Sequence, residues 1–459
     1  MDSGTNYALQ KAHFRKGNFT YMRFKKMIAY SLSLAGLLSA CLYPGTMAEA
    51  EKSEEADSLS DSYVKPQYND IHVIPDKYNT GLSDPEACTI TLEPQVVYPQ
   101  YGGIFFRQDQ EGSMYLDFGN PGHRYLEGEI LFENIDFLST CSNWTGAGNC
   151  GKYLGSGITV RYKNCRFPTW YVRDFDTKNI PVRFEFENCS FLRIDACSMI
   201  MNHCYVGGGD RDGLNPGRDF YCHNTYISDI CHKLEQQGST HLDGMQSLFC
   251  EDMYFHNCRW EVPEINYSVN AGGFSYAVYL EPIRECTGKN AVLDHCFING
   301  GGYYSISCLA KADPEDNIRI IEPFIGACYR KSPFYPAYYR SGNQAEKITE
   351  KPHFHDSLYV SSVWKDQDGH LHFLATNDTY AERTLTVYTD QGIQQFSLKK
   401  TYKFDDCPAD TLDFSDYPID MEFTLDAADP DYVIFYDGTR QIRFVNFTDA
   451  PVLKPREIG

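Results

Sequence analysis

The chain lacks any excess of positive charge: 41 Lys and Arg stand against 62 Asp and Glu, a formal net charge of −21 at pH 7. That excludes nucleic acid as a partner, because neutralising a phosphate backbone takes a basic footprint. The same charge would repel an acidic polysaccharide unless a local basic pocket or a bound cation intervenes. Long apolar runs are missing too. The N-terminal stretch from Met27 to Ala40, preceded by Lys25 and Lys26, is too short to span a bilayer comfortably. It has the form of an export signal.

Two cleavage sites compete within residues 1–50. Leu38-Ser39-Ala40-Cys41 has the pattern of a lipobox, which would lipidate Cys41, whereas Ala48-Glu49-Ala50 fits ordinary signal peptidase. Residues 1–21 read as an upstream extension ahead of Met22. The expected location is therefore extracytoplasmic, either lipid-anchored at the cell surface or secreted, with membrane contact only through a lipid on Cys41. Residues 51–71 form an acidic, serine-rich linker with little to bury.

What the chain does have is aromatic side chains, 34 Tyr and 29 Phe, which suit pleated, half-buried surfaces. From about residue 130 a degenerate unit recurs: a short alternating strand, then Asn or His, a Cys or small residue, and an aromatic or aliphatic one. Copies are Phe132-Glu133-Asn134-Ile135-Asp136-Phe137, Tyr162-Lys163-Asn164-Cys165-Arg166-Phe167 and Phe186-Glu187-Asn188-Cys189-Ser190-Phe191. Others are centred on His203, Asn224, Asn257 and His295. Repeats of roughly 20–45 residues signal solenoids, in which each unit buries its apolar face only against its neighbours. These units show no helical periodicity, so the solenoid is one of strands. Of the 17 cysteines, Cys165, Cys189, Cys204, Cys258 and Cys296 fall at the small core position, where a free buried thiol is expected, while Cys141 and Cys150 flank a Gly/Asn-rich loop as a plausible bridge.

The stretch Ile74 to Gly81 is expected to lead into the solenoid's N-terminal cap. After about residue 312 the unit fades, and residues 312–350 read as a wrap or linker. Residues 351–459 alternate short strands with Asp/Asn/Gly turns, the pattern of a small antiparallel β-sandwich.

Two coils share a second motif, Arg211-Asp212-Gly213-Leu214-Asn215 and Leu242-Asp243-Gly244-Met245-Gln246. In a stack of coils these would lie about 4.8 Å apart, bringing Asp212 near Asp243 and Asn215 near Gln246. Two such carboxylates either shift a pKa or hold a cation. Asp210, Asp212 and Asp243 are the candidate metal ligands, and Ca²⁺ is the ion such an oxygen set would take. The plainer reading is a structural Asp-Gly turn repeated because the coil repeats. Beside the motif, His241, Lys233 and Arg284 join Asp212 and Asp243 as candidate catalytic groups. Arg211, Asn215, Gln246, Glu281 and Tyr304 are candidate substrate contacts. Against these stand a Glu281–Arg284 surface ion pair, a solvated loop around Lys233, and a core position for Tyr304.

The Asn-Cys rungs and the Asn79-Thr80-Gly81 segment resemble the pectate-lyase-like right-handed parallel β-helix superfamily over residues 72–311. His241-Leu242-Asp243-Gly244-Met245-Gln246 resembles a His-x-Asp-Gly-φ-Gln turn of secreted bacterial β-helix proteins. The resemblance implies an all-β chain, a right-handed parallel β-helix followed by the sandwich, with a polysaccharide or surface glycan as partner. It names no reaction: the repeats contain no Gly-His-Gly and no Asp-Asp pair, and the arginine-centred signature of pectate lyases is missing. Two expectations remain. One is a polysaccharide-active protein, as a lyase using His241 or Lys233 as base and Arg211, Arg284 or Ca²⁺ to stabilise the enolate. The other is a non-catalytic glycan-binding or adhesin-like surface protein.

Overall fold

The structure is a computed structural model that describes residues 73–82, 88, 90, 97–98, 104–108, 113–117, 128–138, 143–145, 158–171, 182–196, 199–207, 212–217, 219–228, 243–248, 250–262, 276–280, 290–300, 304–309, 317–326, 332–335, 344–354, 358–377, 379, 381–400 and 420–452. The export signal, the acidic linker and the Cys141–Cys150 pair lie outside these residues.

The strands coil into a right-handed parallel β-helix, followed by an antiparallel β-sandwich. One face of the helix stacks Gly128–Glu133, Ile158–Lys163, Val182–Glu187, Met199–Asn202, Phe220–His223, Met253–His256, Ala291–Asp294, Ile318–Ile321 and Thr349–Glu350, each parallel to the next. A tight corner leads to a second face, which includes Arg166–Tyr171, Ser190–Ala196, Tyr205–Val206, Tyr226–Ser228, Arg259–Val262 and Phe297–Gly300. A third face carries Leu214–Pro216, Met245–Ser247, Tyr276–Leu280, Tyr304–Cys308 and Ser332–Tyr335. In the early coils the second and third faces are one bent strand, as in Ser190–Ala196, which pairs with Tyr205–Val206 at one end and Leu214–Pro216 at the other. The stack starts from an antiparallel trio, Val97–Tyr98, Ile104–Gln108 and Ser113–Asp117, whose last strand pairs in parallel with Asn143–Thr145.

The repeated Asn or His makes the corner. Asn134, Asn164, Asn188, His203, Asn224, Asn257 and His295 all have φ between 49° and 60°, the left-handed region that asparagine tolerates better than other side-chain-bearing residues. Their amides form ladders: Asn164 Nδ2 donates to Asn134 Oδ1 at 3.3 Å, and Asn257 Nδ2 to Asn224 Oδ1 at 2.8 Å. The next residue turns inward. Cys165, Cys189, Cys204, Cys258 and Cys296 are buried free thiols. Each donates to a carbonyl one coil away, as Cys189 Sγ does to Tyr162 O at 3.6 Å. The aromatics then stack between coils, Phe137 on Phe167 on Phe191 at 4.8 Å, and Phe132 on Tyr162 on Phe186 at 5.1 Å.

One expectation is corrected. The described residues within 312–350, expected as a wrap or linker, are part of the solenoid: Ile318–Ile321, Phe324–Ile325, Ser332–Tyr335 and Thr349–Glu350 continue the parallel stack, and His353–Phe354 extends it. Here the corner is made by Glu322 (φ 44°) before Pro323 and Lys351 (φ 45°) before Pro352, so the geometry persists while the Asn-Cys spelling is lost. Residues 73–82 run as a strap beside the corner: Asn257 Nδ2 donates to Val73 O at 3.1 Å and Gly81 N to His203 O at 2.7 Å. Gly81 is required there. Its φ is +73°, and a Cβ would sit 2.5 Å from Ser190 Oγ and 2.7 Å from Tyr205 Cβ.

The sandwich packs the sheet Leu358–Lys365, Leu371–Asn377, Asp420–Thr424 against the sheet Gly392–Leu398, Arg383–Thr389, Tyr432–Tyr436, Gln441–Asn446. Phe373, Leu385, Val387, Val433 and Phe435 are among its fully buried core.

Candidate functional site on the third face

Along the third face inward and outward residues alternate, because successive strand side chains point to opposite sides. Ile194, Leu214, Met245, Val278 and Ile306 fill the core. In register with them, Asp195 pairs with Asn215, Leu214 with Met245, and Gln246 with Tyr279. The two Asp-Gly turns lie one coil apart. The backbone N–H of Asp243 donates to Asp212 Oδ1 at 2.9 Å, and that of Gly213 to Asp243 O at 3.0 Å. Gly244 has no room for a side chain: a Cβ would approach Ala277 O and Val262 Cγ2 at 2.6 Å.

Asp212 thus uses one carboxylate oxygen to hold the turn above it, and Asp243 is fully buried. That arrangement suits a coil-to-coil clamp better than an open cation pocket, since Ca²⁺ takes about six to eight oxygen ligands. Asn215, with its Nδ2 donating to Gln246 O at 2.7 Å, accepts from Arg193 Nη2 at 3.0 Å. Arg193 also reaches Asp195 at 3.7 Å. Burial pushes the Asp195 carboxyl up and Asp212 adds to that, with Arg193 opposing. The strip therefore presents a guanidinium, a carboxyl and two amides on neighbouring coils.

Asn215 and Gln246 lie together as the spacing predicts. Tyr304 does not serve as an exposed platform: it is buried and packs with Tyr279 against Leu309, because its coil continues beneath later ones. Asp210, Arg211, Lys233, His241, Glu281 and Arg284 lie outside the described residues. Arg193 and Asp195 went unnoticed in the sequence because no motif marks them, although counting one coil down from Asn215 leads to Asp195. On the sandwich, Asp366, Asp368 and His370 bring ligand atoms within 4.8 Å of one another. Asp366 Oδ1 there accepts the backbone N–H groups of Asp368 and His370, as a turn-making aspartate does.

Comparison with known proteins finds no matching family, no matching curated protein and no matching solved structure.

Proposed function

We propose that this chain is an exported, polysaccharide-active protein of the pectate-lyase-like β-helix superfamily, taking its glycan along the third face. The observation that carries this reading is the in-register strip Arg193, Asp195, Asn215 and Gln246. Asp195, Asn215 and Gln246 recur at the strand spacing, with Arg193 beside them on the strand of Asp195, as contacts to a linear chain of sugars require. As a lyase, it would use His241 or Lys233 to remove the proton alpha to a uronate carboxylate. Arg211 or Arg284, or a Ca²⁺ ion beside Asp210, would offset the developing charge. The structural use of Asp212 favours a second reading, a glycan-binding or adhesin-like surface protein without turnover.

The experiment is a panel of polysaccharides offered to the purified protein with and without EDTA. Ultraviolet absorbance of unsaturated ends and retention on immobilised glycan are both read. Cleavage lost in His241→Ala supports the lyase. Retention without cleavage, weakened in Asn215→Ala and Gln246→Ala, supports the binder. Neither signal on any glycan overturns both.

A further inference from the structure

The first face carries a second cluster that the third-face reading does not use. On consecutive strands Tyr221 pairs with Tyr254 and His223 with His256, and His256 pairs in turn with Asp294. Their strand neighbours Phe220, Cys222, Met253 and Phe255 fill the core, so alternation sends these four rings outward. The rings are contiguous. His223 lies 5.8 Å from Tyr254 and 6.2 Å from His256, and Tyr254 and His256 are parallel within 10° at 6.4 Å. Tyr221 is 36% exposed. Beside them Asp294 is held from two sides, accepting from Tyr254 OH at 2.8 Å and meeting His295 Nδ1 at 2.6 Å.

The charges around this platform favour an uncharged ligand over an acidic one. Arg161 is paired with Glu129 and Glu185 at 2.8 Å, Arg319 with Glu350 at 2.6 Å, and Lys351 with Glu322 at 3.0 Å. These three cations are matched by carboxylates, and Glu187 and Asp294 add more negative charge, with Lys163 opposite Glu187 in register. Burial, with His256 and His203 acting in the same direction, pushes His223 down to about 4. At neutral pH it is an uncharged imidazole, one nitrogen donating and the other accepting. That is the polarity of a sugar hydroxyl, and the ring faces suit the C–H face of a pyranose.

We propose that the first face is a binding site for an uncharged saccharide, seated on Tyr221, His223, Tyr254 and His256 and hydrogen-bonded at the Asp294 side. This site is separate from the third face and does not rest on the function proposed for it.

Calorimetric titration of the full chain with linear neutral hexose oligomers (β-1,4-glucan, β-1,3-glucan and mannan) tests it, with oligogalacturonate as the acidic control. Saturable binding to a neutral oligomer is expected, with the acidic control bound far more weakly. Tyr221→Ala should weaken binding about tenfold, the loss of one ring contact. Ile393→Ala, at an exposed position of the sandwich far along the chain from either face, should leave it unchanged. Matching thermal unfolding of Tyr221→Ala and the parent separates lost contact from lost fold. Three results would overturn the proposal: no neutral oligomer binding, binding indifferent to both Tyr221→Ala and His256→Ala, or Zn²⁺ bound through His256 with no saccharide bound.

Discussion

Arg259 and Asp420, 161 residues apart in the chain, meet at 2.7 Å with the arginine wholly enclosed. The same guanidinium binds Glu261 at 2.9 Å and donates to Pro75 O at 3.2 Å, and it lies 4.9 Å and 5.1 Å from the rings of Tyr226 and Tyr359. Tyr359 OH donates to Glu261 at 3.0 Å, and Tyr226 OH to Asp420 at 3.1 Å. One side chain of the solenoid thereby ties together the strap, the second face and the sandwich. Removing one member of a buried, fully bonded charge set leaves the others stranded, at a cost of about 3–5 kcal/mol. Arg259→Met is therefore expected to lower the denaturation midpoint in guanidinium strongly, and Arg259→Lys substantially, because an ammonium cannot reproduce the fork.

Acid should act through the same cluster. Burial alone would push Asp420 up. The charge and hydrogen bond of Arg259, with the hydroxyls of Thr376 and Tyr226, outweigh it and hold the carboxyl below its ordinary range. A depressed folded-state pKa contributes stability above the unfolded value, about 3.9 for aspartate, and loses it as pH falls through the folded value. Unfolding free energy should thus drop below about pH 4. In Asp420→Asn the protein should be less stable at pH 7 and its acid slope shallower. An unchanged slope would place the acid sensitivity elsewhere.

The solenoid was legible in the sequence because its corner demands a left-handed backbone at one residue per coil, and asparagine followed by cysteine meets that demand with a recurring spelling. Where Glu322-Pro323 and Lys351-Pro352 meet it differently, the spelling vanished and two coils read as linker. The third-face strip was half visible. Asn215 and Gln246 are tied to an Asp-Gly turn that a reader can align, whereas Arg193 and Asp195 sit on a strand without one. The first-face rings were hidden for another reason: His223 and His256 stand next to the corner residues Asn224 and Asn257 and read as part of the turn. Nothing local tells which side of the sheet they face until the register is known. The contact of Arg259 with Asp420 had no sequence signal, since it depends on where the sandwich docks.

The corner yields its own test at Asn257, whose side chain bonds both Asn224 and Val73 O. Asn257→Ala combines left-handed strain with two lost hydrogen bonds, about 3 kcal/mol together. Asn257→Gly relieves the strain but not the bonds, and should recover about 1 kcal/mol of that loss. Equal destabilisation by Ala and Gly in urea unfolding would show that the backbone conformation contributes nothing.

The thiols give the last prediction. Every described cysteine is buried. Burial pushes Cys88 up to about 12, with Cys165 and Asp136 adding to it, and raises Cys204 as well. The thiolate is the nucleophile, so at pH 8 Cys88 and Cys204 have almost no reactive form, and burial denies reagent to every one of the described thiols. Native protein mixed with Ellman's reagent should leave Cys165, Cys189, Cys204, Cys258 and Cys296 unlabelled over hours, and denatured protein should release them all at once. The order of labelling during slow unfolding then reports how the stack comes apart. Because each thiol donates to the coil beneath it, neighbouring cysteines should become reactive together. Labelling of Cys204 well ahead of Cys189, whose strands pair directly through Tyr205 and Ser190, would mean that the coils open singly instead of as a block.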